Sequence, residues 1–200
     1  YVEEKSIMYL MARAAKQAGT PAIRTSSIRD VIAIKEETGL PVIGLVKIQY
    51  PGYEGYITPT MKEVDDLVAA GSDVVALDCT LRKRGDGITV NEKYPDIILM
   101  ADISNYEEGI NAWKCGVDIV GTTMSGYTDY TSKKDEPDYE LMERLAKDTD
   151  IPVIGEGKIH YPDQAVKALQ TGVWAIVVGG AITRPLEIAQ RFQKAIEAGK

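Results

Sequence analysis

Two hundred residues, 44% of them apolar, suffice for a sizeable core, and a formal charge of −7 with a pI near 4.9 excludes a general binder of nucleic acid or anionic membrane. Two cysteines, Cys79 and Cys115, stand in neither metal-ligand nor redox spacing, which points to a reduced, cytoplasmic setting; one histidine, His160, excludes His-rich metal sites and most Ser-His or Cys-His arrangements. The chain carries no signal-peptide pattern and no apolar run of membrane-spanning length.

A helix over 6–18 opens the chain, and "KQAGTPAIRT" (16–25) leads from it into a strand at 22–24. A helix over 27–37 and a strand at 42–46 follow. Thr60 and Glu63 have capping-box spacing and begin a helix over 60–70, with its apolar stripe on Val64, Leu67 and Val68. "AAGSDVVALD" (69–78) closes that helix on a glycine and enters a β-branched strand at 74–77. Between Leu77 and Ile97 runs a loop without a convincing helix, so about one helix's worth of chain is expected to be missing near Asn91 to Lys93. A strand at 97–101 comes next, then a helix over 105–115 with Ser104 and Glu107 in capping-box spacing, then a strand at 117–121 within "KCGVDIVGTT" (114–123). The remainder reads as a helix over 138–148, a strand at 152–155, a helix over 162–171 behind Pro162, a strand at 174–178 within "QTGVWAIVVG" (170–179), and a helix over 185–198 behind Pro185.

Strict alternation of helices with purely apolar strands means a parallel sheet covered by helices, either doubly wound or closed as a (β/α)8 TIM barrel. Seven strands behind an opening helix fit a single (β/α)8 barrel domain over 1–200 whose first strand lies upstream of Tyr1.

"LPVIGLVKI" (40–48) and "IPVIGEGKI" (151–159) are near-copies. Counted as strands three and seven of eight, they face each other across the barrel axis. Alternation along a strand then points Lys47 and Glu156 inward from opposite walls at one small molecule. Barrel chemistry gathers at the carboxyl ends of the strands, where this chain offers Arg24, Lys47, Asp78, Asp102, Thr122, Glu156 and the pair Gly179–Gly180. "VVGGAITRP" (177–185) joins a strand to a helix start through two glycines, which suits an anion such as phosphate, with Arg184 as a charged donor. Gly155 and Gly157 fit the same role.

On the stretches "AIRTSSIRDV", "PVIGLVK", "ITPTMKEVD", "VALDCTLRKR", "MADIS", "GTTMSGYT", "GEGKI" and "VVGGAITRP", nearly the whole chain resembles the N-acetylmannosamine-6-phosphate 2-epimerase family. The resemblance implies a (β/α)8 isomerase of sialic-acid and amino-sugar catabolism that needs no cofactor and no metal. It implies Lys47 and Glu156 as the catalytic pair, Arg24 and Asp102 as sugar contacts, and Gly179, Gly180 and Arg184 at the phosphate. The expected reaction removes and returns the proton at C2 of a sugar phosphate, with Lys47 as base and Glu156 as acid/base partner. A base role asks for a Lys47 affinity for protons lowered by burial or nearby positive charge. Two rivals share the same barrel: a Schiff-base lyase or synthase using Lys47 or Lys158, and a non-catalytic sugar-phosphate sensor. His160 reads as a satisfied loop histidine and 80–87 as a basic loop, either over the substrate or simply solvated. Tyr50, Tyr53 and Tyr56 suit a lid or a subunit contact, and Trp113 and Trp174 leave room for a homodimer.

Overall fold

The computed structural model of the chain describes residues 6–83 and 90–199. Its elements alternate as the periodicity predicts: α1 (Met8–Gln17), β1 (Ile23–Ser26), α2 (Ile28–Thr38), β2 (Val42–Leu45), α3 (Met61–Ala69), β3 (Val74–Asp78), α4 (Val90–Lys93), β4 (Ile98–Asp102), α5 (Tyr106–Lys114), β5 (Ile119–Gly121), α6 (Tyr139–Asp148), β6 (Val153–Glu156), α7 (Pro162–Gln170), β7 (Ala175–Val177), α8 (Gly180–Thr183) and α9 (Pro185–Ala198). All pairings are parallel, and the strand order is β1-β2-β3-β4-β5-β6-β7. A doubly wound sheet would reverse its order at a switch point. A monotonic order with a helix after each strand is the winding of a (β/α)8 barrel, here with seven strands among the described residues. No described residue pair bonds β1 to β7.

Side chains alternate across each strand and sort into two environments. Ile43 and Leu45 of β2, Ala76 of β3, Met100 of β4, Ile119 of β5 and Ile154 of β6 meet in one cluster, the barrel interior. Val42, Val75, Leu99, Val120 and Val153 pack the other way, beneath the helices. Burial on both faces explains why these strands read as unbroken apolar runs.

The Thr60–Glu63 capping box forms as expected, with the Thr60 N–H donating to Glu63 Oε2 at 3.0 Å. The box expected at Ser104–Glu107 is displaced by one residue. Asn105 is the N-cap, accepting from Glu108 N at 3.0 Å, and Glu108 turns back onto the Ser104 N–H and hydroxyl. The Glu108 carboxylate also accepts from Leu81 N and the Tyr130 hydroxyl. It therefore binds together the loops that follow β3, β4 and β5, and that demand draws it rather than Glu107 inward.

Two single-turn helices complete the account. α4 stands where the sequence shows no full helix, and α8, unforeseen, follows Gly179. The basic loop over 80–87 falls partly on residues 84–89, which lie outside the described residues.

Candidate active site

Lys47 follows β2 on a short antiparallel ladder. It is bridged to Ile57, Ile48 N donates to the Tyr56 carbonyl at 3.0 Å, and Thr58 N donates to the Val46 carbonyl at 2.7 Å. Glu156 ends β6. Their strands are four apart in the sheet order, and both residues line the same two adjoining cavities, of about 480 and 380 Å³. Lys47 is exposed and forms no side-chain hydrogen bond or ion pair among the described residues. Neither aspartate that could have taken it is available. Asp78 receives the Arg82 guanidinium at 2.5 Å and the Thr80 hydroxyl at 2.6 Å, while Asp102 is held by Arg24.

Arg24 lies within β1, two residues before its end, in register with Ile43 and facing the interior. Its Nη2 is 2.6 Å from Asp102 Oδ2 and its Nε is 3.0 Å from Glu156 Oε2. The guanidinium is 6% exposed and Asp102 is fully buried. One cation thus spans two carboxylates from β4 and β6. The Thr123 hydroxyl reaches the same pair from the far side, 2.6 Å from Asp102 Oδ1 and 3.1 Å from Glu156 Oε2. Gly121 leaves room beneath this cluster, since a Cβ there would lie 2.2 Å from Met100 Cε and 3.5 Å from Asp102 Oδ1.

Burial, reinforced by the Asp102 charge, raises the Glu156 carboxyl above the usual carboxylate range, against the pull of Arg24, the Thr123 hydroxyl and Lys47. For Arg24, burial works against the charged form, but Asp102 and Glu156 outweigh it and the guanidinium holds its proton more tightly than usual.

Thr122 does not face this site. It is fully buried, its hydroxyl donating to the Glu156 carbonyl at 2.9 Å and accepting from Glu156 N at 3.0 Å, so it fastens β5 to β6. The inward residue is Thr123, which the strand-exit reading passed over. The alternation already applied to Lys47 and Glu156 would have found it, because Ile119 and Gly121 share its parity.

Gly157 at φ +105° and Lys158 at φ +58° turn the chain sharply out of β6. Only glycine takes the first of these angles without strain. Lys158 Nζ donates to the Ser125 carbonyl at 3.2 Å and lies 4.5 Å from the Tyr127 ring centroid; burial lowers its proton affinity, Asp135 and Asp138 opposing. His160, expected to be satisfied, leaves Nδ1 buried with no partner among the described residues. Gly157, Lys158, His160, Gly179, Gly180 and Arg184 all line the second cavity, beside the Lys47–Glu156 pair, whereas Gly155, read with Gly157 as a phosphate residue, does not: it faces α6, where a Cβ would lie 3.0 Å from Met142 Sδ. Arg184 is exposed and pairs with Glu187 at 2.8 Å. Among the described residues no cluster of His, Cys, Asp and Glu is arranged to hold a metal.

The sequence model of the family described as "NanE: Putative N-acetylmannosamine-6-phosphate epimerase" matches residues 8–198. A protein of Caldanaerobacter subterraneus named "Putative N-acetylmannosamine-6-phosphate 2-epimerase" is 53% identical, the match covering 93% of this chain and 81% of that one. A protein of the same name from Clostridioides difficile is 50% identical over 96% of this chain and 88% of its own. Among solved structures, the N-acetylmannosamine-6-phosphate 2-epimerase from Clostridium perfringens superposes with a TM-score of 0.90 at 46% identity, covering 98% of this chain and 90% of that one. A thiamine phosphate pyrophosphorylase from Pyrococcus furiosus, at 21% identity and a TM-score of 0.60, shares the fold alone. With its barrel winding and nearly its whole length accounted for by these matches, the chain belongs to the N-acetylmannosamine-6-phosphate epimerase family.

Proposed function

We propose that this protein interconverts N-acetylmannosamine 6-phosphate and N-acetylglucosamine 6-phosphate by removing and returning the proton at C2. Family membership supports the substrate and reaction, and gives no support to the Schiff-base or sensor alternatives. The observation that carries the reading is that an amine and a carboxyl, from strands four apart, line the same cavities.

The open-chain sugar has an acidic hydrogen at C2, beside the C1 aldehyde. Lys47 takes that proton; the C–H bond electrons form a C1–C2 double bond, and the carbonyl oxygen takes a proton from Glu156. The planar enediol then turns its other face to the Lys47 ammonium, which returns a proton to C2 while the C1 hydroxyl gives its proton back to Glu156; the C1 carbonyl re-forms, Lys47 ends neutral, Glu156 ends protonated, and the product is the epimer. Burial favours the protonated Glu156 this step needs. Lys47 is exposed, so its desolvation must come from the substrate filling the cavity. Gly179, Gly180, Gly157 and Arg184 hold the phosphate, which competes with Glu187 for the guanidinium and anchors the non-reacting end. Arg24 contacts the sugar beside Glu156. Asp102, fully buried with both oxygens engaged, acts on the sugar through Arg24 and Thr123.

Cys79 and Cys115, both thiols, support a reducing cytoplasmic setting for this step of amino-sugar breakdown. Proton NMR of the purified protein with either 6-phosphate in D₂O tests the reaction. The other epimer should appear with deuterium at C2; turnover without label, or no turnover, overturns the reading.

A further inference from the structure

Of the tyrosines on the excursion after β2, Tyr50 gives its hydroxyl to Glu63 Oε1 at 2.7 Å, whereas Tyr56 lines the second cavity together with Lys47 and Glu156. The Tyr56 main chain is fastened on both sides: its N–H donates to Asp78 Oδ2 at 3.1 Å, and its carbonyl accepts from Ile48 N at 3.0 Å. The ring packs against the interior cluster, and the Arg82 guanidinium lies 5.0 Å from its centroid. The hydroxyl is served far less well. Among the described residues its hydrogen-bond partner is the Met124 thioether, 3.7 Å away and a weak acceptor. Burial raises the phenol above its usual range, against the pull of Arg82, so the oxygen keeps its hydrogen and can donate. A rigidly mounted donor with a poor partner, in a cavity wall, is suited to an acceptor on a ligand.

The surroundings select the acceptor. In the reaction given above, C2 of the sugar must lie at Lys47, which is bridged to Ile57, the residue next to Tyr56. Besides the reacting hydrogen, C2 carries the acetamido group. A sugar hydroxyl both donates and accepts, whereas an acetyl group presents a carbonyl acceptor and an apolar methyl. The wall around Tyr56 has the matching pair of properties: a phenol donor, packed on an apolar cluster that includes Met124 and Ile57, both of which line the same cavity. We propose that Tyr56 is a specificity-determining residue, its hydroxyl donating to the acetyl carbonyl oxygen on C2 while the acetyl methyl rests against Met124 and Ile57. The hydroxyl exchanges a thioether for a carbonyl, a better acceptor, when the acetylated sugar enters. The role rests on the substrate reading given above.

Tyr56→Phe keeps the ring beside Arg82 and deletes the hydroxyl, so the variant should fold and melt like the wild type. Calorimetric titration with N-acetylglucosamine 6-phosphate and with 2-deoxyglucose 6-phosphate, which has a hydrogen in place of the acetamido group, separates the acetyl group from the rest of the sugar. Tyr56→Phe should bind the acetylated sugar about tenfold more weakly, the loss of one hydrogen bond, and the 2-deoxy sugar as tightly as the wild type does. The kcat/KM for epimerisation of N-acetylmannosamine 6-phosphate should fall by about the same factor. Unchanged affinity of Tyr56→Phe for the acetylated sugar, or equal losses on both sugars, overturns the role. So does a wild type that binds the two sugars equally, a result that needs no variant. A wild type that binds the acetylated sugar without epimerising it overturns the reaction instead, and the two affinities still decide the role of Tyr56. A wild type that binds neither sugar overturns the substrate reading and the role together.

Discussion

At the scale of single residues, the site is built from a caged group and an uncaged one. Glu156 is tied to Arg24 and Thr123, whereas Lys47 has no partner among the described residues beyond the field of Glu156. Lys47→Ala should therefore lower kcat by roughly 10²- to 10⁴-fold. Because the side chain is exposed, chemical denaturation should show a stability change within about 0.5 kcal/mol. Glu156 behaves oppositely. A carboxyl raised above its unfolded value favours folding most while protonated, so its contribution is present at low pH and declines as the pH rises through the folded titration. Thermal melts across that window should show the wild type losing stability relative to Glu156→Gln, which cannot ionise. The types and positions of Lys47, Glu156 and Arg24 could be read from strand ends and parity. The Arg24–Asp102–Glu156 ion cluster could not, because strand exits give no depth: Arg24 sits inside β1 and Asp102 is sealed from solvent.

Elements carry the next level of control. The near-repeat of β2 and β6 sets two equal frames, yet the chain leaves them differently. After β2 it enters the ladder to Ile57, and after β6 it turns through Gly157 and Lys158 at positive φ. Gly157→Ala at φ +105° should introduce about 1–3 kcal/mol of strain, measurable by urea unfolding. It should also raise KM for the sugar phosphate, since the same turn lines the second cavity. Long helices and strands were legible because each has enough residues to show a period. α4 and α8 were not, having only a single turn. The displaced capping box at Asn105 has a different cause: two adjacent glutamates offered equal spacing, and long-range demand from Leu81 and Tyr130 chose Glu108.

For the whole molecule, the notable asymmetry is α9. None of its residues is buried, and Leu186, Phe192 and Ile196 are each more than half exposed. Trp174 and Val166 are exposed as well. A helix of this length gains most of its stability from packing an apolar face, and we propose that these side chains meet a second copy of the chain. Sedimentation should give a dimer at micromolar concentration, and Phe192→Glu should weaken it by about 10- to 100-fold, the burial energy of one large apolar side chain. A wild-type monomer under those conditions would leave the helix face to some other role.

The two-rung ladder under Lys47 has a consequence for how the protein can vary. Its rungs clamp the stem of the excursion between Val46 and Thr58, and the tip is fastened separately: the Tyr50 hydroxyl donates to Glu63 Oε1 at 2.7 Å, and Glu54 N and Gly55 N donate to the Lys83 carbonyl at 2.6 and 3.0 Å. Changes at the tip are therefore felt first at the α3 cap, through Glu63, while the rungs keep the aim of the amine: the protein secures the stem and the tip of this excursion independently, and only the stem governs where Lys47 points.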